Sequence, residues 1–424
     1  MAAGSAGISL HVTQRMLVAG ETVHGEIELN TPLFSSSGIT TLIARLSGSV
    51  EVLNTSVTVT IHDNSPLYVV PPKLTPKTEN SRSLYHQELE LWRADTPSSS
   101  TSNRIPFSFK LPQDLPPSFQ VDGIHAECRV GHVLEVLGTR PNASSHRIVV
   151  PLSVVAPDSL GTQHRQTLEG GWNGPWLPVK KEARIRKGVF GSHSSVQVEL
   201  LLPCLSPLPL FTRIPFLVNI VTFTKEMKAE ESSRRSQDAV FPTPPQHAKD
   251  ISFWLQRQID LVVDGHSVKE VDDYVRLGGL GEESSSGEDG PEVRVLDKEW
   301  IPSSNGRKGV WKQETKISSY FTLEGTPTFS DSILSLKYLM TIKVNFAGVG
   351  NTVEASCPVE ISSGMVPQSR RAGVRRRGTR RRSTVDPLPL YTEREEPPPM
   401  EERRRTLDLP PSYWAIAAWE TDGS

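Results

Sequence analysis

Short segments in which apolar and polar residues alternate recur along the chain and limit the folds open to it. In GETVHGEIELN, residues 20–30, the apolar residues from Val23 to Leu29 share one face of an extended chain, and the polar residues between them share the other. The pattern returns in SVQVELLL, residues 195–202, and in MTIKVNF, residues 340–346. A period of two residues is typical of a strand with one buried and one solvated face. The sequence therefore predicts an all-β chain of antiparallel, immunoglobulin-type β-sandwiches.

Changes in composition divide the chain into four parts. Strand patterns dominate residues 8–156 and again residues 179–364. The segment between them, 157–178, is rich in glycine and lacks sustained alternation, so we expect an interdomain linker there. Residues 365–424 are rich in Arg, then in Pro and Glu, with too few apolar residues to form a core. The sequence thus predicts two sandwich domains in tandem, followed by a disordered tail.

Cysteine usage and the first residues indicate a reducing compartment. Cys128, Cys204 and Cys357 are far apart and include no CxxC pair, which argues against a disulfide framework and a structural zinc site. The start, MAAGSAGISLHVTQRM, lacks the basic and apolar regions of a signal peptide. No stretch reaches the ~20 apolar residues that span a bilayer. We therefore expect a cytosolic protein.

Charge is shared unevenly between the body and the end of the chain. From Ser369 onward, 12 Arg and no Lys accompany 9 Asp and Glu, a local balance of +3, and the whole chain carries −2. The preceding body therefore carries −5. A body with this charge argues against nucleic acid as a partner.

Motifs of catalysis are missing from the sequence. It contains no HExxH, no GxSxG and no phosphate-binding P-loop. Its eleven histidines are scattered without the spacing of metal ligands. We therefore predict no catalytic residue, no metal site, no cofactor and no small-molecule substrate.

A proline-rich motif lies near the end, in LDLPPSYWAIA, residues 407–417. Pro410 and Pro411 fix φ and favour the polyproline II conformation before any partner arrives. WW domains bind such segments with an aromatic groove for proline and a pocket for the following tyrosine, here Tyr413. Chance is the alternative, since the Pro and Tyr content of this chain gives roughly one such match per twenty chains.

A second, weaker version of the motif precedes it. Leu388, Pro389 and Tyr391 supply one proline where the standard motif has two. Tyr391 and Tyr413 are 22 positions apart, and a flexible linker of that length has a root-mean-square span of roughly 25 Å. Two weak sites at this spacing can act together on a partner that carries several WW domains.

An arginine-rich run, RRAGVRRRGTRRRST, precedes both motifs. Attraction to anionic lipid on the cytoplasmic leaflet is worth about 1 kcal/mol per basic residue close to the surface. The arginines that we expect to contact lipid are Arg375, Arg376, Arg377, Arg380, Arg381 and Arg382. Nuclear import, nucleic-acid contact and a solvated spacer remain alternatives for this run.

Three hydroxyl residues follow arginines as the sites of basophilic kinases do. Ser383 and Thr384 come directly after the run, and Thr406 follows three further arginines. A phosphate on these residues would add nearly two negative charges and cancel the local attraction to lipid. We therefore predict phosphorylation sites at these positions.

Several longer stretches resemble the N- and C-domain signatures of alpha-arrestins, the arrestin-related trafficking adaptors. In the first block these stretches are AGETVHGEIELN, SLYHQELELW and IPFSFKLPQDLPPSFQVDGIHAECRV, and in the second FTLEGTPTFSDSILSLKYLMTIKVNFAG and CPVEISSG. The resemblance covers roughly residues 8–364, and the family also carries PPxY motifs in its tails. It implies two curved arrestin-like sandwiches joined by a short hinge.

The resemblance also implies a function. Such adaptors hold cytoplasmic segments of membrane transporters or receptors and recruit a HECT-type ubiquitin ligase through its WW domains. The expected location is the cytoplasm, peripheral to the plasma membrane and endosomes. A trafficking scaffold that ignores ubiquitin, and a nuclear regulator that uses the arginine run, are the alternative interpretations.

Overall fold

The computed structural model describes most of the chain up to Pro367. The described residues are 2–5, 7–12, 16–56, 75–95, 103–122, 126–141, 143–188, 191, 193–234, 240–263, 266–281, 290–304 and 306–367. Within them the chain is mostly β-strand, arranged in several sheets that pack face to face. The predicted all-β sandwich fold is confirmed.

Residues 2–155 form a first pair of sheets, here called the N-terminal sandwich. One sheet has the strand order β1-β2-β4-β7, and the other has β3-β10-β9-β5-β6 with β8 on β9. A short helix, α1 (Thr31–Ser36), follows β4. The strands are β1 (Ala2–Ser5), β2 (Ile8–Val12), β3 (Met16–Val18), β4 (Thr22–Leu29), β5 (Thr41–Ser56), β6 (Thr75–Arg93), β7 (Arg104–Lys110), β8 (Phe119–Asp122), β9 (Ala126–Arg140) and β10 (Ala143–Val155).

The alternating segment GETVHGEIELN becomes β4, and its apolar face lies in the core. Val23 and Ile27 are fully buried. Gly25 lies opposite Phe107 of β7, where an added Cβ would come within 2.2 Å of the aromatic ring. Phe107 and Phe109 are both buried and pack edge to face, with ring centroids 5.8 Å apart. The glycine therefore makes room for an aromatic side chain in the core.

Residues 176–362 form a second pair of sheets, here called the C-terminal sandwich. One sheet has the order β11-β12-β14-β20-β15, with β18 and β19 also on β20, and the other has β17-β16-β22-β21 with β23 on β22. The strands are β11 (Trp176–Arg186), β12 (His193–Pro203), β13 (Leu208–Pro209), β14 (Arg213–Phe223), β15 (Met227–Lys228), β16 (Ile251–Val263), β17 (His266–Arg276), β18 (Glu292–Val295), β19 (Glu299–Pro302), β20 (Lys308–Thr322), β21 (Phe329–Ser330), β22 (Leu334–Asn345), β23 (Thr352–Val359) and β24 (Ile361–Ser362).

Three phenylalanines from both sheets meet in this core. Phe216, Phe253 and Phe321 have ring centroids 5.0 to 5.9 Å apart, and each is almost fully buried. Such aromatic contacts add about 0.5–1.5 kcal/mol each beyond the area that they bury. A small parallel pair, β13 with β24, lies beside the main sheets. A helix α3 (Ala229–Arg234) and a 3₁₀ turn (Ala248–Asp250) lie in the connection from β15 to β16.

Apolar residues of the N-terminal sandwich continue the core of the C-terminal one. Phe119 packs edge to face on Phe329, with ring centroids 5.8 Å apart, and the guanidinium of Arg257 lies 5.8 Å from the Phe119 ring centroid. The Thr326 hydroxyl donates a hydrogen bond to the Ser118 carbonyl. Further residues that join this core are Val50, Val52, Cys128 and Val130. The two sandwiches thus share an apolar contact surface.

The predicted linker, residues 157–178, contains the helix α2 (Ser159–Glu169). Asp158 caps it, since its carboxylate accepts a hydrogen bond of 2.8 Å from the Gly161 amide. The sequence pattern did not reveal this helix, because its buried residues are only Gly161 and Leu168. Two buried positions in eleven residues give too weak a periodicity to detect.

A buried histidine lies on β9 of the N-terminal sandwich, opposite Gly48 of β5. The His132 side chain is 1% exposed. Its Nε2 donates to the Pro116 carbonyl at 3.2 Å, so its Nδ1 accepts from the Tyr85 hydroxyl at 3.3 Å. Gly48 pairs with both Tyr85 and His132, and a Cβ there would lie 2.6 Å from the Tyr85 ring. Burial lowers the pKa of His132 to about 4, although the bond to Pro116 opposes this.

The buried histidine predicts a loss of stability in mild acid. The pKa of His132 is lower in the folded than in the unfolded chain. Its contribution to the free energy of unfolding is therefore complete above about pH 6.5 and is lost as the pH falls toward 4. The shift corresponds to about 3 kcal/mol at most. Denaturant titrations at several pH values should show this loss in the wild type, and His132→Gln should remove it. The exposed His86→Gln is the matched control, and an unchanged pH slope in His132→Gln would contradict the assignment.

Candidate functional site

The residues that the sequence predicts to bind partners all lie beyond Pro367, outside the described residues. They comprise both proline motifs, the arginine run and the three hydroxyl residues. They are Leu388, Pro389, Tyr391, Pro410, Pro411, Tyr413, Arg375, Arg376, Arg377, Arg380, Arg381, Arg382, Ser383, Thr384 and Thr406. These predictions therefore stay predictions, and the site considered below comes from the body of the chain.

A groove of about 750 Å³ crosses the outer face of the C-terminal sandwich. Its volume is that of a small-ligand or peptide site. Strands β14 and β20 form its floor, the end of α2 and the loop after it form one wall, and the start of β18 forms the other. We call this feature the ring-lined groove. Its lining residues include Trp172, Trp176, Arg213, Pro215, Leu217, Glu292, Ser318 and Tyr320.

The groove lies where the pairing between β12 and β14 stops. The ladder between β12 and β14 ends at the pair Leu201–Leu217, whereas β14 begins earlier, at Arg213. Residues 213–216 thus extend beyond that ladder. Arg213 and Pro215 line the groove, Ile214 and Phe216 are buried in the core, and Phe216 also borders the groove. Alternation along β14 therefore supplies both the core and the groove floor.

Two tryptophans of the segment GGWNGPW form one wall. Gly171 has a φ of +89°, a left-handed conformation that glycine adopts without steric penalty. Gly174 packs directly on the Trp172 indole, where a Cβ would come within 2.6 Å of the ring. Trp176 begins β11 and pairs with Pro203. The glycines of the predicted linker thus place two indole rings at the groove.

The floor carries an exposed aromatic ring and a cation. Tyr320 is 50% exposed, and the Arg213 guanidinium lies 4.2 Å from its ring centroid. Such a stack holds the ring in place with about 0.5–1 kcal/mol at an exposed site. Pro215 pairs with Tyr320 across the ladder. The floor is therefore a preformed surface of proline and aromatic rings.

Buried polar atoms at the groove lack partners. The Trp172 Nε1 donor is buried and has no hydrogen-bond partner among the described residues. The same holds, within that part of the chain, for Asn219 Oδ1, which lines an adjoining cavity of about 360 Å³. This cavity shares Leu217, Glu292 and Ser318 with the groove. Both atoms are inaccessible to solvent, so they carry the cost of unsatisfied buried polar groups and are not open to a ligand in this conformation.

Helix α2 connects this groove to the point where the described chain ends. Its Arg165 donates to the carbonyls of Leu210 and Ser363, each at 3.1 Å. At its start, the Asp158 carboxylate accepts from the Gly364 amide at 3.0 Å, and the Asp158 amide donates to the Met365 carbonyl at 2.6 Å. The bonds that Asp158 and Arg165 make to residues 363–365 form what we call the exit clamp.

Two further observations concern metals and membranes. In the part of the chain that the structure describes, no three His, Cys, Asp or Glu side chains come together as ligands of a metal ion would. Among the same residues, no helix is long and apolar enough to cross a bilayer.

Comparisons with known proteins do not place the chain. No model of a known protein family matches it, and no curated protein matches it either.

The exit clamp predicts a local loss of order when Asp158 is replaced. Asp158→Ala removes the helix cap, worth about 1 kcal/mol, and the acceptor of the Gly364 amide. Hydrogen exchange should therefore become faster at both Gly161 and Gly364, and Asp158→Asn should restore part of the protection. Ser159→Ala, at an exposed neighbouring position, should change neither amide. Unchanged exchange at Gly364 in Asp158→Ala would show that the clamp does not hold this segment.

Proposed function

We propose that this protein is an adaptor of the alpha-arrestin type, which joins membrane-protein cargo to a ubiquitin ligase. The sandwiches would hold a cytoplasmic segment of a transporter or receptor, and the tail would recruit a HECT-type ligase with WW domains. Ubiquitination of the cargo then leads to endocytosis or endosomal sorting. The observation that carries the proposal is the motif Pro410-Pro411-Ser412-Tyr413, which follows a body of paired β-sheets.

The proposed mechanism is proximity. Holding an enzyme and its substrate on one chain raises the local concentration of each around the other, without bond chemistry by the adaptor itself. Two proline motifs on one tail support this, because a ligase with several WW domains would bind both at once. The proposed location is the cytoplasmic side of the plasma membrane and of endosomes.

The two alternatives differ in what the tail does. A trafficking or signalling scaffold that ignores ubiquitin would use the same sandwiches, and its cargo turnover would not depend on the tyrosines of the proline motifs. A nuclear regulator would use the arginine run as a targeting or nucleic-acid element.

The tyrosines should determine WW binding. Tyr413→Ala removes the ring that fills the tyrosine pocket, and we expect the affinity for an isolated WW module to fall by about tenfold or more. Tyr391→Ala should have a smaller effect alone and a clear one against tandem WW modules. Calorimetric titration of the full chain measures both.

The matched control is Ser412→Ala, which changes the spacer between the prolines and the tyrosine. Its affinity should stay within about twofold of the wild type. WW binding that survives both tyrosine changes would remove the recruitment proposal. Normal WW binding with cargo turnover unaffected by the double change would favour the scaffold alternative.

The arginine run should determine membrane binding. Changing the six arginines at 375–377 and 380–382 to Gln should lower binding to vesicles with phosphatidylserine by more than about tenfold. Each basic residue near the surface contributes about 1 kcal/mol to that binding. Arg403, Arg404 and Arg405 changed to Gln provide the control, and Ser383→Asp with Thr384→Asp should weaken binding in the same direction. Unchanged vesicle binding, with a fluorescent fusion that leaves the nucleus on the six changes, would support the nuclear alternative.

A further inference from the structure

We propose that the ring-lined groove binds the proline ribbon of this same chain, Leu407–Tyr413. The ribbon would then have two mutually exclusive positions, one in the groove and one on a WW domain. The first position rests on the groove alone, and the competition between the two rests on the proposed function.

The chemistry of the groove suits a proline ribbon. Domains that bind polyproline II segments do so in grooves lined by aromatic rings. The groove supplies rings at Trp172, Trp176 and Tyr320. On its floor, Pro215 pairs with the half-exposed Tyr320. A ribbon with two prolines presents carbonyls without competing N–H groups at those positions.

The exit clamp brings the tail to the groove. The described chain ends at Pro367, next to the start of α2, and the end of α2 at Leu168 and Glu169 is part of the groove wall. The eleven residues of α2 span roughly 16 Å. Residues 368–406 separate Pro367 from the ribbon, and a random coil of that length has a root-mean-square span of roughly 34 Å. The ribbon therefore reaches the groove without strain.

The same geometry favours the chain's own ribbon over one from a second copy. A tethered segment of suitable length has an effective concentration in the millimolar range. A second copy of the chain at micromolar concentration would be about a thousandfold more dilute. A weak site that a second copy would rarely occupy is therefore occupied most of the time by the tethered segment.

The first test compares WW binding by three ligands. These are the full chain, the full chain with Tyr320→Ala, and a synthetic peptide of residues 384–424. We expect the full chain to bind an isolated WW module about three- to tenfold more weakly than the peptide, because only the fraction with the ribbon outside the groove is competent. Tyr320→Ala should restore the affinity to that of the peptide. Val271→Ala, at a residue 56% exposed on β17 of the other sheet, is the matched control and should change nothing.

The possible results separate the two proposals. Equal affinities of the full chain, the Tyr320→Ala variant and the peptide would overturn the groove proposal and leave recruitment intact. Absence of WW binding by all three would overturn recruitment. Weak binding by the full chain that only Tyr320→Ala relieves would support both.

A photo-crosslink tests the groove without a WW domain. Benzoylphenylalanine placed at Tyr320 in the full chain should crosslink, within one chain, to peptides from residues 384–424. The same group placed at Val271 should not. Crosslinks only between two chains, or none to the tail, would overturn the proposal even if WW binding is normal.

Discussion

The burial of alternate residues is the constraint on which the rest of this structure depends. Each sheet gives one face to the core, as Ile214 and Phe216 do on β14, so recognition is left to the other faces and to the edges. A flat outer face offers little to a ligand. Where the ladder between β12 and β14 ends and β14 continues past it, the outer face becomes a groove. The extent of one strand ladder therefore decides where this sandwich has a concave surface, and residues 213–217 of β14 supply part of its lining.

Helix α2 then couples that groove to the end of the described chain. Arg165 holds the helix against the carbonyls of Leu210 and Ser363, while Asp158 holds residues 364 and 365 at its start. One rigid element of eleven residues thus fixes the distance between the groove wall and the origin of the tail. This arrangement does not depend on what the tail binds. It does mean that any weak attraction between tail and groove acts at a high local concentration.

The sequence pattern predicted the strands well, because alternation is a local property that burial enforces. In GETVHGEIELN, Val23 and Ile27 lie in the core as the alternation predicts, and Gly25 leaves room for Phe107 of the neighbouring strand. The groove could not be predicted in the same way. The glycines of segment 157–178 predict a linker, and the helix α2 within it has only two buried residues, too few to give a helical pattern. The only sequence signal for the groove is the pair Trp172 and Trp176, which flank Gly-Pro. The surface that these rings face is formed by β14 and β20, some 40 to 150 residues later in the chain.

The proposed competition between the ring-lined groove and a WW domain follows from the features that both surfaces would recognise in the proline ribbon. A WW domain has an aromatic groove for proline and a pocket for tyrosine, and the groove of this chain has rings at Trp172, Trp176 and Tyr320. Consecutive prolines favour polyproline II before binding, so such a segment would lose little entropy in either position. The fraction of the ribbon in each position then depends on local concentration. The groove gains from the tether, and a ligase would gain from several WW domains that bind two motifs at once. A partner with one WW domain would compete poorly under these conditions, and a partner with several would displace the ribbon. Under the proposed function, the number of WW domains in the partner, rather than the affinity of any one of them, would then decide whether the partner holds the ribbon.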